Sequence, residues 1–295
     1  MSGWSARHYA VLRKGCVQSM IVIPGGRAES VLSQLTTDVE RRVWQAKYRS
    51  ARTYVYRSEQ ELRFELKARD RIVNASYAMN ASGVSFASFA DARCNPRFWR
   101  LTEAGGFLLR PGVSPADGIR DIFQNGYLYA FECAVAIVIL FYRAVLDLLG
   151  DALFNRLYSG LLLYSWHTDS DLRLVVSHGV EVFPGDVLYF ANPDVSPATP
   201  EFQGENAVVL AEDVYFGHGI GIASASQIIL ALNRMRRPGA TRSAYLTDEV
   251  VTLNFRYFAD LAEGMPTAAG MRELPGWMAA GDSFAVIGSR LHAGI

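Results

Sequence analysis

In the first half of the chain, apolar residues recur at the spacing of a helix face. Leu62, Leu66, Arg69 and Val73 stand three to four apart and predict an amphipathic helix over 59–73. Before it, 20–24 reads as a short apolar strand stopped by Gly25-Gly26, and Ser30 as the cap of a helix through Val31, Leu32 and Leu35. In 83–89, Val84, Phe86 and Phe89 interleave with Ser85, Ala87 and Ser88, a loop or short strand. Two apolar runs, 98–101 and 107–109, flank Gly105-Gly106 and predict a hairpin. Ser114-Pro115-Ala116-Asp117 starts a helix with proline at its first position, and Asn125-Gly126 is expected to end it as a left-handed stop. A long apolar helix follows over about 131–149, closed by Gly150.

The second half changes period. Runs at 157–166, 187–190, 207–210 and 215–222 are short, β-rich and separated by Gly, Pro, Asn and Asp, which predicts an antiparallel sheet. One more helix is expected over 225–235, and beyond about 255 the sequence is rich in Gly and Ala and shows no pattern. Helices first and strands afterwards indicate an α+β fold. No internal repeat is visible, and residues 1–19 read as a weakly structured lead-in.

Composition narrows the class. A chain of 295 residues, 50% apolar and 20% charged, can bury a sizeable core and is not disordered. Twenty-nine basic residues balance 29 acidic ones, which argues against a dedicated nucleic-acid binder. The balance is uneven: residues 1–120 hold 19 basic and 10 acidic side chains, the remainder the converse. Two oppositely charged halves attracting each other within one fold is the simpler account; one face turned to an anionic surface is the other. No run of about 18 uncharged apolar residues exists, so no membrane span is expected, and no secretory signal is evident. Cys16, Cys94 and Cys133 are too few and too scattered for a disulfide framework or a zinc site, and no metal or cofactor is expected.

Cys133 has the most informative position, at the first turn of the long helix. Unpaired N–H groups and the helix dipole there favour an anion, which would bias the thiol towards thiolate; an inert buried cysteine is the plain alternative. Spacing does not choose a base among His8, His167, His178, His218, His292 and the many carboxylates. Gln203-Gly204-Glu205-Asn206 introduces an apolar strand and is the best local cluster, although glutamate at a strand end is ordinary. Gly217, Gly219 and Gly221 lack the strand–turn–helix context of a phosphate loop, so no nucleotide site is expected.

Several longer motifs occur in order: Ile119-Arg120-Asp121-Ile122, Tyr129-Ala130-Phe131-Glu132-Cys133-Ala134-Val135-Ala136-Ile137-Val138-Ile139, Leu163-Tyr164-Ser165-Trp166-His167, Gly185-Asp186-Val187-Leu188-Tyr189-Phe190-Ala191-Asn192-Pro193, Gly204-Glu205-Asn206 and Tyr215-Phe216-Gly217-His218-Gly219-Ile220-Gly221. Phe64-Glu65-Leu66-Lys67 precedes them and Ser243-Ala244-Tyr245-Leu246 follows. Together they closely resemble the small, calcium-independent protein-glutamine gamma-glutamyltransferases of spore-forming bacteria. The likeness runs over about 20–253.

That resemblance implies a papain-like fold of the NlpC/P60 type, with the nucleophile at the N-terminus of a long buried helix packed on an antiparallel sheet. It implies a transglutaminase domain over 20–255, residues 1–19 outside it (with Met20 an alternative start) and a C-terminal extension of unassigned role over 256–295. The implied activity is formation of ε-(γ-glutamyl)-lysine cross-links between glutamine- and lysine-bearing proteins of the spore coat. The enzyme would be made in the cytoplasm of a sporulating cell. Cys133 would be the nucleophile, Glu205 its main partner and Glu132 a second carboxylate sharing the role, with His218 and Asn206 in support. Phe86, Trp166 and Phe202 would wall a substrate tunnel; Phe202 departs from the family's usual tryptophan, which would widen the tunnel there.

A thiol and a carboxylate differ by about four pKa units, or roughly 5.7 kcal/mol for proton transfer. The helix N-terminus is expected to lower the thiol and a dry apolar surround to raise the glutamate. Only Lys14, Lys47 and Lys67 are lysines, which an arginine-biased composition explains and which would also limit self-cross-linking. Two rivals stand beside this reading: an amidase of the same fold acting on glutamine or peptidoglycan, and a non-catalytic coat scaffold, against which the presence of both Cys133 and Glu205 counts.

Overall fold

Seventeen almost wholly apolar residues, Cys133–Leu149, form one helix in which thirteen side chains are buried. A helix apolar on every side has no solvent face and is driven to the centre of the molecule. In the computed structural model, which describes residues 20–264 and the short strands Ala285–Val286 and Leu291–His292, it occupies that centre. The helices Glu59–Ala81, Pro115–Gln124, Asp151–Leu157 and Phe255–Ala262 pack around it, as does the strand Gly204–Ala211. Each buried Ile, Leu or Val of the central helix contributes about 1.5–3 kcal/mol, so its position is strongly determined. Gly150, at φ 73°, closes it as expected.

The expected antiparallel sheet has six strands, in the order Gly221–Ala223, Val214–Gly217, Gly204–Ala211, Val187–Ala191, Tyr245–Leu253 and Leu174–His178. Every neighbouring pair is antiparallel. Along Gly204–Ala211, Val208 and Leu210 join the core around the central helix, while Ala207 turns to the opposite face beneath Ile228 and Leu232 of the helix Ala225–Arg234. The pleat therefore puts Asn206 on the same face as the central helix.

A second, smaller core joins Ile21, Val31, Val43, Trp44, Leu62 and Leu66. It includes the helix Asp38–Arg49, which the apolar periodicity did not reveal although Thr37 and Glu40 form a reciprocal cap at its start. The two charged halves meet inside one fold: Arg69 pairs with Asp186 at 2.8 Å, and Arg57–Asp260 and Arg120–Asp151 also cross the divide. Lys47 and Arg69 share the buried Glu65, each at 2.8 Å.

Several expectations need correction. Ser30 caps no helix; the first helix is Ala28–Leu32 and the Ser30 hydroxyl donates back to the Arg27 carbonyl. The amphipathic helix runs on from Val73 to Ala81, because buried Ala75, Ser76 and Met79 continue its face and the Ser76 hydroxyl is satisfied by the Ile72 carbonyl. Asn125-Gly126 is not a left-handed stop, since Asn125 has φ −124°. The glycine is needed there because a Cβ would overlap the backbone at Ser82. Residues 157–166 are no single strand: a helix ends at Leu157, and Leu162–Leu163 forms a short strand that extends the Trp99–Leu101/Phe107–Leu109 hairpin rather than the main sheet. The 215–222 run is two strands folded back on each other. Among the described residues Tyr245–Leu253 is the longest strand, and it was not expected; the helix Phe255–Ala262 after it buries Phe258 in the main core. The lead-in over 1–19 and most of the expected extension lie outside the described residues.

Candidate active site

Cys133 is held by what comes just before it. Asp121, buried at the end of its helix, accepts hydrogen bonds from Asn95, Asn125 and Tyr129 and so fixes the turn leading to Cys133. Ala130–Phe131 then pairs in parallel with Ser85–Phe86. The His218 ring lies across this pair, its Nε2 3.1 Å from the Phe131 carbonyl oxygen and 3.3 Å from that of Ser85, and it stacks on Phe131 at 4.8 Å. Burial pushes the His218 pKa down to about 4, so the ring is neutral and braces backbone. The central helix begins two residues later, with Glu132 in the capping position and Cys133 first.

Around the sulfur, Asn206 donates from Nδ2 to Cys133 Sγ at 3.5 Å, and Sγ donates to Glu132 Oε2 at 3.7 Å. Glu205 is 1% exposed and its Oε1 has no hydrogen-bond partner; Glu132 Oε1 is likewise unpartnered. Burial, then the charge of Glu132, pushes the Glu205 pKa up to about 8, against the N–H groups of Gly219 and His218 that face it. Burial also raises Glu132. The thiol does not shift towards thiolate as expected from the helix terminus: burial, then Glu205, then Glu132, pushes it well above its usual value. Two acidic neighbours and the loss of water outweigh a dipole that is worth about 0.3–1 kcal/mol in ordinary settings. Thiol and carboxyl both rise, so the expected approach of the two is met on the carboxyl side alone.

The hydrogen bond singles out Glu132, whereas the charge interaction at the sulfur is greater for Glu205. The S···O separation to Glu132 is long, and Glu132 also faces the N–H groups of Ala134 and Val135 at its own helix start. Glu205, with an unpartnered oxygen and a pKa raised to about 8, is the better matched proton carrier.

A cavity of about 390 Å³ opens onto Cys133, Glu132 and Asn206 and is lined as well by Phe89, Trp166, Tyr189 and Pro200; Glu205 is buried outside this lining. Trp166 therefore stands where the tunnel wall was expected. Phe86 and Phe202 are not in the lining; their rings pack against each other at 5.4 Å beside it. Tyr189 and Glu201 are lining residues to which the sequence attached no role. Among the described residues no three His, Cys, Asp or Glu side chains cluster as a metal site would require, and no helix is long and apolar enough to cross a membrane.

The family profile described as protein-glutamine gamma-glutamyltransferase matches residues 20–262. The chain belongs to this family. A protein-glutamine gamma-glutamyltransferase of Halalkalibacterium halodurans is 48% identical over 222 residues, covering 74% of this chain and 78% of that protein. One from Bacillus mycoides is 44% identical over 209 residues, covering 71% and 76%. A solved transglutaminase from Geobacillus stearothermophilus, described as lacking its C-terminal extension, is 53% identical and covers 69% of this chain and 97% of its own, with a TM-score of 0.66. The chain is thus a transglutaminase, an acyltransferase acting on proteins that bear glutamine and lysine.

Proposed function

We propose that Cys133 is the nucleophile and Glu205 the principal acid–base group of this transglutaminase, with Glu132 a second carboxyl able to share the proton. What carries the reading is that the helix-start thiol stands beside two carboxyls with unpartnered oxygens and raised pKa values: Glu132, on the cavity wall and hydrogen-bonded to the sulfur, and Glu205, buried outside the lining but near enough for its charge to act on the sulfur. The reactive state is the one in which the pair has lost a single proton, taken first from Glu205. As sulfur adds to the γ-carbonyl carbon of glutamine, the Glu205 carboxylate receives the thiol proton. It then passes that proton to the leaving nitrogen; the C–N bond breaks, ammonia departs and a thioester remains. A neutral amine adds to the thioester, gives a proton to Glu205, and the C–S bond breaks with return of the proton to sulfur. Asn206, donating to the sulfur, stabilises the thiolate as it forms. Phe89, Trp166, Tyr189 and Pro200 keep water from competing with the amine.

The proposed products are ε-(γ-glutamyl)-lysine cross-links between coat proteins of a sporulating cell. Kinship with proteins of Bacillus supports that setting. The catalytic domain, expected over 20–255, is proposed to continue through Phe255–Ala262. Incorporation of a fluorescent primary amine into a glutamine-bearing protein tests the assignment. Cys133→Ala is expected to abolish incorporation, Glu205→Gln to lower it by about a thousandfold and Glu132→Gln by less. Full activity in Cys133→Ala would refute it.

A further inference from the structure

The cavity beside Cys133 is lined by fourteen residues, of which two, Glu132 and Glu201, carry carboxyl groups and none is Lys, Arg or His. In a chain with 29 lysines and arginines this is a pointed asymmetry. The two acids differ. Glu132 is half-buried beside the Cys133 sulfur, where burial raises its pKa. Glu201 lies in the single turn Pro200–Phe202, is partly open to solvent, and makes no hydrogen bond or ion pair with any described residue. The turn is fixed: the N–H groups of Phe202 and Gln203 donate to the Thr199 and Pro200 carbonyls, and the Phe202 ring packs on Phe86. Glu201 is therefore an unpaired charge held by rigid backbone at the rim of an apolar cleft.

The two substrates differ in charge. The glutamine γ-carboxamide is neutral, and the lysine ε-amine arrives from solution as an ammonium ion. Low-dielectric walls concentrate the field of a rim carboxylate along the cleft. We propose that Glu201 is a specificity residue for the acyl acceptor, capturing the lysine ε-ammonium at the cavity rim before it releases one proton to solvent and attacks the thioester as the neutral amine. This rests on the assignment of the Cys133 cavity as the site of transfer. Glu201 acts on binding of the cation and takes no part in bond making, so its influence belongs in the KM for a charged acceptor and not in kcat.

The experiment compares wild type with Glu201→Gln and Glu201→Lys, using full-length protein and one small glutamine donor. Two acceptors are used at neutral pH: cadaverine, a cation, and hydroxylamine, which is uncharged. Glu201→Gln is expected to raise the KM for cadaverine about fivefold, and Glu201→Lys more, at low ionic strength. The kcat, the donor KM and the KM for hydroxylamine should stay at wild-type values. Added salt should shrink the cadaverine difference. An unchanged cadaverine KM, or an equal change for both acceptors, overturns the proposal. Cys133→Ala run in parallel separates this from failure of the underlying assignment: loss of transfer to both acceptors there upholds the cavity as the active site whatever Glu201 does.

Discussion

Gly217 lies against the side chain of Glu205, so close that a Cβ on the glycine would stand 2.9 Å from Glu205 Cγ and 3.0 Å from Oε1. The absence of a side chain on one strand thus makes the space in which the carboxyl on the next strand sits. Gly217→Ala should push that carboxyl aside while the pairing of Gly217 with Ala207 survives. Amine incorporation is expected to fall about a hundredfold, the scale of a 1 Å misplacement, with little change in the far-UV circular dichroism. Undiminished activity would show that the position of Glu205 is not critical.

The raised pKa of Glu205 sets the pH at which the pair loses its first proton. In the wild type, kcat/KM for the glutamine donor should rise with pH through about 8, far above the ordinary carboxylate range. Burial is the larger cause and the charge of Glu132 the next, so Glu132→Gln should move the ascending limb to lower pH. A pH–rate series on both proteins measures the displacement; a shift towards higher pH contradicts it.

The same burial costs stability. Glu205 holds its proton in the folded state to a higher pH than in the unfolded chain, so the native state binds more protons between the two values. Stability is unaffected below the unfolded pKa near 4.3 and declines as pH rises towards about 8. Glu205→Gln, which cannot ionise, should therefore gain over the wild type at pH 9 but not at pH 4. The difference is on the order of 3–5 kcal/mol, readable as a higher Tm by calorimetry.

Lysine scarcity takes on a spatial form in the structure. Lys47 is buried against Glu65 with its ammonium 4.1 Å from the Tyr54 ring centre, whereas Lys67 is exposed. When the enzyme is incubated with a fluorescent glutamine donor and no other acceptor, label within residues 20–264 should appear at Lys67 and not at Lys47. Peptide mapping by mass spectrometry checks this, and label at Lys47 would contradict the packing.

The central helix was legible because an unbroken apolar run of that length has one stable place, and the strands at Val187 and Ala207 because their β-rich bursts end at turn residues. Tyr245–Leu253 was not legible: Thr247, Asp248 and Glu249 interrupt its apolar pattern, and the chain accommodates them with a bulge between Leu246 and Val250. Local period carries no information on such a repair. The motif order pointed to Cys133, Glu132, Glu205 and Asn206, which the fold brings near one another. The protonation of the thiol was misjudged because a helix terminus is visible in sequence while the burial of two neighbouring acids is not. Tyr189 lies within the motif at 185–193, yet only the pleat of its strand shows that it faces the cleft.

A sulfur kept in its un-ionised form by its surroundings is also a poor target for peroxide and alkylating agents, since those reagents attack thiolate. On the proposed mechanism, the arrangement that withholds catalysis until Glu205 sheds its proton also shields Cys133 in the interval.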